Sequence, residues 1–169
     1  MKKLLVVVDM QKDFVTGCLG TKEACEITDS VAEYVKNFDG DVVFTMDTHG
    51  ENYMETQEGN KLPVPHCIKG SDGWEIVPEL KPYVNKVFEK PTFGSKELAD
   101  FVTNNEYESI TLIGVCTGIC VLSNAILIKA FAPEIPVRVI AGLCACVTPD
   151  THETALRAME TCQIEVVRS

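Results

Sequence analysis

Histidine and tryptophan are scarce in this sequence, and long apolar runs are missing. Its 169 residues include three histidines and one tryptophan. The N-terminal stretch MKKLLVVVDMQ has only five consecutive apolar residues, Leu4 to Val8, before Asp9 interrupts them. A secretory signal core or a membrane span needs more. A cytoplasmic protein without a membrane partner is therefore expected. Positive charge is the minority sign: 15 Lys+Arg stand against 25 Asp+Glu, a net charge of −10. Such a chain repels phosphate, and no basic patch stands out, so nucleic acid is not an expected partner. The phosphate loop G-x-x-x-x-G-K-[ST] and the G-x-G-x-x-G fingerprint are absent, and so is the G-x-S-x-G elbow. These absences count against a nucleotide-binding protein and a serine hydrolase.

Cysteine is plentiful, with eight residues. No C-x-x-C pair occurs, and the chain is too long for a disulfide-stapled miniprotein. Cys116, Cys120, Cys144 and Cys146 sit in the apolar runs LIGVCTGICV and VIAGLCACV, where cysteine acts as a small hydrophobe. A reduced protein is expected. At 18.6 kDa, size scaling predicts a folded surface of roughly 8,200 Å² and favours one domain, residues 1–169. Apolar residues make up 46%, which excludes intrinsic disorder.

Short apolar runs alternate with amphipathic stretches. Strands are predicted at 4–8, 41–46, 85–89, 109–115, 136–142 and 163–168. Helices are predicted at 23–38, 95–104 and 117–131, with another opening at Thr148-Pro149. Ile27, Val31, Ala32 and Val35 share one helix face. Residues 48–82, rich in Gly and Pro, form a long irregular insertion of the kind that usually carries function. The alternation implies an α/β three-layer sandwich, Rossmann-like, with a six-stranded parallel sheet and helices on both faces. In such folds ligands bind beyond the carboxyl ends of the strands.

Chemistry-bearing residues fall at those ends. Cys120 lies in the first turn of the helix after strand four. The helix dipole and a nearby lysine would lower its thiol pKa and make it a nucleophile. Asp9 ends strand one and suits general acid/base work. Lys90 ends strand three and would stabilise the thiolate and orient Asp9. Asp47, His49 and His66 offer three ligands with open positions, the pattern of a reactive metal site. One divalent ion is expected, zinc first, with iron or manganese as alternatives. His152, in the first turn of the last helix, reads as structural.

Together these segments resemble the isochorismatase-like superfamily of cysteine hydrolases, and within it the nicotinamidases of pyrazinamidase type. LLVVVDMQKDF, VFTMDTHGEN, PVPHCIKGSDGWEIVPEL, VFEKPTFGS and LIGVCTGICV carry the resemblance over nearly the whole chain. It implies Asp9, Lys90 and Cys120 as catalytic residues and Asp47, His49 and His66 as metal ligands. It also implies backbone N–H groups of Cys116 and Cys120 as the oxyanion hole, and a cis Val115–Cys116 peptide. The implied reaction is hydrolysis of nicotinamide to nicotinate and ammonia through a thioester, with the metal on the ring nitrogen. Other readings stay open: another small amide such as a carbamoyl or ureido compound, or a non-catalytic metal- or ligand-binding α/β module. Nicotinamidases commonly place a tryptophan near the position of Pro63; the single Trp74 lies further along. An aromatic before the catalytic cysteine is replaced by Ile119, and Phe14 is left as an apolar wall. The short chain implies a trimmed lid or one supplied by a neighbouring subunit, and a homo-oligomer is expected.

Overall fold

The apolar run at the N-terminus becomes the centre of the sheet. In the computed structural model, which describes residues 2–168, β1 (Lys2–Val8) lies between β2 (Asp41–Asp47) and β4 (Tyr107–Val115). All pairings are parallel, and the strand order is β3-β2-β1-β4-β5-β6. The outer strands are β3 (Val87–Lys90), β5 (Val137–Ala145) and β6 (Glu165–Val167). Leu4 to Val8 are fully buried because both faces of β1 are covered, as a parallel sheet requires. Leu4, Val6 and Val8 pack into one core, and Leu5 and Val7 into the other.

Helices cover each face. α2 (Lys22–Asn37) lies on one side with Ala24, Val31 and Val35 inward, and Ile27 and Ala32 partly buried. The Thr21 side chain caps it by accepting from Ala24 N–H. The one-turn α1 (Lys12–Val15) and the loop residues Ile76, Val77 and Leu80 join the same core. α4 (Lys96–Thr103), α5 (Leu122–Phe131) and α6 (Pro149–Thr161) cover the other face. The accessible surface is 8325 Å², close to the scaling value. Among the described residues, no helix is long and apolar enough to cross a membrane.

The six strands stand where the apolar runs place them. Their bounds differ most at β5, which runs on to Ala145 through an irregularity opposite Leu112–Gly114. The helix expected over 117–131 is two elements, a π-helical turn at Thr117–Val121 followed by α5. The insertion 48–82 holds the short helix α3 (Gln57–Lys61). The cysteines are less uniformly interior than their apolar neighbours suggest, since Cys18, Cys25 and Cys162 are exposed.

Sequential strands move outward from β1 to β2 and β3, and the chain then returns to the far side of β1 as β4. The order reverses between β1 and β4, which is where such a sheet opens a crevice. Gly114 keeps these strands close: its φ is +116°, and a side chain there would collide with the Val8 carbonyl. The Val115–Cys116 peptide that follows is cis, as the resemblance implies.

Candidate active site

Asp9, Lys90 and Cys120 meet at this crevice. All three are buried, Asp9 at 0% exposure, Lys90 at 1% and Cys120 at 5%. Asp9 follows β1 in the left-handed region, with φ +49°. Its N–H reaches Thr45, and Thr45 Oγ1 donates to Asp9 Oδ1 at 2.6 Å. Lys90 is the last residue of β3, paired in register with Asp47. Its Nζ stands 2.6 Å from Asp9 Oδ2, 3.5 Å from Cys120 Sγ and 3.6 Å from Asp47 Oδ1. Lys90 and Asp9 form a fully buried ion pair, and Lys90 also donates to Thr92 O at 3.1 Å. The ammonium therefore bridges carboxylate and thiol.

The electrostatics correct one expectation. Burial pushes the Cys120 thiol well above its usual value, and the Asp9 charge adds to this; Lys90 opposes them without winning. Desolvation also raises Asp9, against the pull of Lys90. Burial alone would lower Lys90, but the charges of Asp9 and Asp47 raise it instead, so it stays an ammonium. The thiol is thus held neutral beside a base, rather than pre-ionised by a helix dipole. An acid and a base side by side, both shifted by burial, are suited to passing one proton.

The Thr45 hydroxyl is a buried partner of a buried carboxylate. Thr45→Val keeps the shape and removes the donor. A loss of about 1–3 kcal/mol is expected, or roughly 2–10 °C in melting temperature. A calorimetric scan of the variant checks it, and an unchanged Tm would refute the assigned hydrogen bond.

Beside this trio, His49 and His66 close on Asp47. Residue 49 pairs with the insertion through His49 N–H to Cys67 O and Lys69 N–H to His49 O, both 2.9 Å. That pairing draws His66 to the end of β2. His49 Nε2 lies 2.9 Å, and His66 Nε2 3.3 Å, from Asp47 Oδ2. Glu58 of α3, not anticipated from sequence, adds Oε1 at 3.8 Å from His49 Nε2 and 3.6 Å from His66 Nε2. One ligand atom from each of Asp47, His49, Glu58 and His66 lies within 4.8 Å of the others. Asp47 Oδ1 is buried without a hydrogen-bond partner. Two imidazoles and two carboxylates converging beside Asp47 Oδ2 fit a divalent cation.

Supporting groups fix this geometry. His66 Nδ1 bonds Val64 O at 2.7 Å, which leaves Nε2 as the ligand atom. Gln11, fully buried, accepts from Asp47 N–H and donates to Asp47 O. Asp13 Oδ2 accepts from Cys67 N–H at 2.8 Å, beside His66. Burial would raise Asp47, but hydrogen bonds from His49 and His66 and the Lys90 charge hold it below the usual carboxylate range. Burial would lower His66, but its bond to Asp47 raises it.

A cavity of about 470 Å³ opens onto both clusters. It is lined by Asp47, Glu58, His66, Cys116 and Cys120 and by apolar walls that include Phe14, Leu62 and Ile119. Phe14 also packs on His66, ring centroids 5.5 Å apart. Trp74 is not among the lining residues; its Nε1 donates to Thr48 Oγ1 at 2.9 Å. Leu62 and Ile119 leave aliphatic surface in the wall.

Comparison with known proteins identifies the family and agrees with this fold. The Isochorismatase domain profile matches residues 3–169. A nicotinamidase/pyrazinamidase of Mycobacterium tuberculosis is 28% identical, covering 99% of each chain. An uncharacterized isochorismatase family protein PncA of Bacillus subtilis is 32% identical over 75% of this chain and 78% of its own. The pyrazinamidase of Pyrococcus horikoshii, solved in complex with zinc, superposes with TM-score 0.82 at 26% identity, covering 100% of both chains. The chain therefore belongs to the isochorismatase family, as a hydrolase of the nicotinamidase/pyrazinamidase kind.

Proposed function

We propose that this protein, as one domain spanning 1–169, is a metal-dependent cysteine amidohydrolase that converts nicotinamide to nicotinate and ammonia. The observation that carries the reading is Lys90 Nζ standing between Asp9 and Cys120 on the rim that also gathers Asp47, His49, Glu58 and His66. The likeness to proteins named nicotinamidase and pyrazinamidase supports the substrate class.

Cys120 is the nucleophile. As its sulfur attacks the amide carbon, its proton passes to Asp9, whose raised pKa suits it to accept and return a proton. Lys90 keeps the pair oriented and offsets the negative charge that moves between them. Backbone N–H groups of Cys116 and Cys120 hold the oxyanion. Asp9 returns the proton to the departing nitrogen, and ammonia leaves a thioester on Cys120. Water, deprotonated by Asp9, cleaves the thioester to the acid and restores the thiol. Phe14 and Ile119 wall the ring and exclude bulk water. Asp47, His49, Glu58 and His66 would hold a divalent ion, zinc on the precedent of the Pyrococcus structure, which would supply Lewis-acid anchoring of the substrate.

A second reading keeps this chemistry on another small amide, because Leu62 and Ile119 give the cavity aliphatic walls. Ammonia release by the purified protein separates the two. Nicotinamide and pyrazinamide are expected to give kcat/KM at least tenfold above carbamoyl and ureido compounds. A higher value for the open-chain substrates would transfer the proposal to them.

A further inference from the structure

We propose that His152 is a positioning residue for the reaction at Cys120 and acts through the hydroxyl of Thr117. The proposal rests on the reading of Cys120 as nucleophile. The π-helical turn Thr117–Val121 carries Cys120, and Thr117 is fully buried at its start. Thr117 Oγ1 lies 2.7 Å from His152 Nδ1. A buried hydroxyl is costly without a partner, so this bond constrains where the residue can sit. His152 stands in the first turn of α6, whose end is fixed by a reciprocal cap between Thr148 and Thr151. The next residue of the turn is closed by the same helix. A side chain on Gly118 would come to 3.2 Å from Ala155 Cβ. α6 therefore holds two successive residues of the turn, Thr117 by a hydrogen bond and Gly118 by close packing.

The turn needs such a hold. Val121 N–H bonds Cys116 O at 3.1 Å, one residue wider than an α-helical closure. Isolated π-turns are uncommon and concentrate at functional sites. The turn places Cys120 Sγ 3.5 Å from Lys90 Nζ, with Cys116 at its entry and Ile119 in the cavity wall. A shift of about 1 Å in such a group can cost up to about a hundredfold in rate.

The bond also gives the turn a protonation dependence. Burial and the charge of Arg168 hold His152 below its ordinary pKa, with Glu153 opposing. The charged groups that face it are Glu153 on α6 itself and Arg168 beyond β6, which pairs with Glu153 and Glu160. The turn contributes none. In the Nε2–H tautomer of the neutral imidazole, Nδ1 accepts from the Thr117 hydroxyl. Once protonated, Nδ1 can only donate, and the hydroxyl proton loses its acceptor.

Four variants test this: Thr117→Val, Thr117→Ser, His152→Leu and His152→Asn. The readouts are kcat and KM for nicotinamide, thermal melting, and the rate of Cys120 alkylation by iodoacetamide, resolved by peptide mass. Thr117→Val and His152→Leu are expected to lower kcat about ten- to a hundredfold, with KM within about twofold. Cys120 alkylation should slow in step, because a thiol displaced from Lys90 is less ionised. Thr117→Ser and His152→Asn should stay near wild type at neutral pH. On acidification through and below the ordinary histidine range, wild-type kcat should fall relative to His152→Asn, which does not titrate. Wild-type kcat and alkylation in Thr117→Val would overturn the proposal, and so would identical pH profiles in wild type and His152→Asn. Alkylation reads the turn without substrate. It therefore tests the positioning role even if Cys120→Ala leaves hydrolysis intact, a result that would remove only the nucleophile reading.

Discussion

Cys120→Ala is expected to lower nicotinamide hydrolysis by roughly 10⁴- to 10⁶-fold, the scale seen when a covalent nucleophile is deleted. It is the cleanest substitution in the trio. Asp9 and Lys90 are both buried and charged, 2.6 Å apart. Removing either leaves the other uncompensated, at a cost of about 3–5 kcal/mol. Loss of activity in those variants would be mixed with loss of fold. Cys120 carries no compensating charge, and its truncation costs about what a deleted methyl costs, roughly 1 kcal/mol. The measurement is ammonia release by wild type and variant, with matching thermal melts. A folded Cys120→Ala that still hydrolyses nicotinamide at the wild-type rate would end the thioester mechanism. A second signature is the burst: wild type should release ammonia before nicotinate when thioester hydrolysis is slower than its formation.

The parts of this site legible in sequence are those that backbone periodicity places. Asp9, Asp47 and Lys90 each stand at the end of an apolar run, and a parallel sheet puts those ends on one rim. Glu58 lies in an insertion with other acids, Glu51 and Glu55, which are exposed. Only the local folding of α3 selects it. Thr56 caps the helix by accepting from Gly59 N–H, and Gly59 packs so closely on the Tyr53 carbonyl that any side chain would collide. The cap pattern Thr-x-x-Gly was the available signal. It marks a turn rather than a ligand.

The misread thiol has a different cause. Helix dipole and lysine are visible in sequence, whereas the depth of burial is a property of the assembled crevice. Here desolvation is the larger effect. The π-turn escaped for a related reason. Residues 117–131 keep an apolar pattern that reads as one helix, and nothing in that pattern distinguishes the wider Cys116–Val121 closure from an α-helical one.

Removing the metal ligands should produce the second large effect. His49→Ala is expected to reduce bound metal from about one ion per chain to a small fraction, and kcat/KM for nicotinamide by roughly 10²- to 10⁴-fold, the worth of several kcal/mol of Lewis-acid stabilisation. Asp47, His49, Glu58 and His66 converge within 4.8 Å. Burial and the Asp47 charge both raise Glu58, so without a cation the site disfavours the Glu58 carboxylate. A divalent ion relieves that repulsion, and loses one of its two neutral donors if either imidazole goes. Glu58→Gln keeps the shape and removes one charge, so it should weaken metal binding by less than His49→Ala does. Elemental analysis gives occupancy, and chelation followed by zinc, manganese or iron readdition tests reversibility. Cys120 alkylation should persist in the chelated protein, because Lys90 and Asp9 are not displaced by loss of the ion. A chelated, metal-free protein with full kcat/KM would refute the role of this cluster, while the Cys120 mechanism would stand on its own evidence.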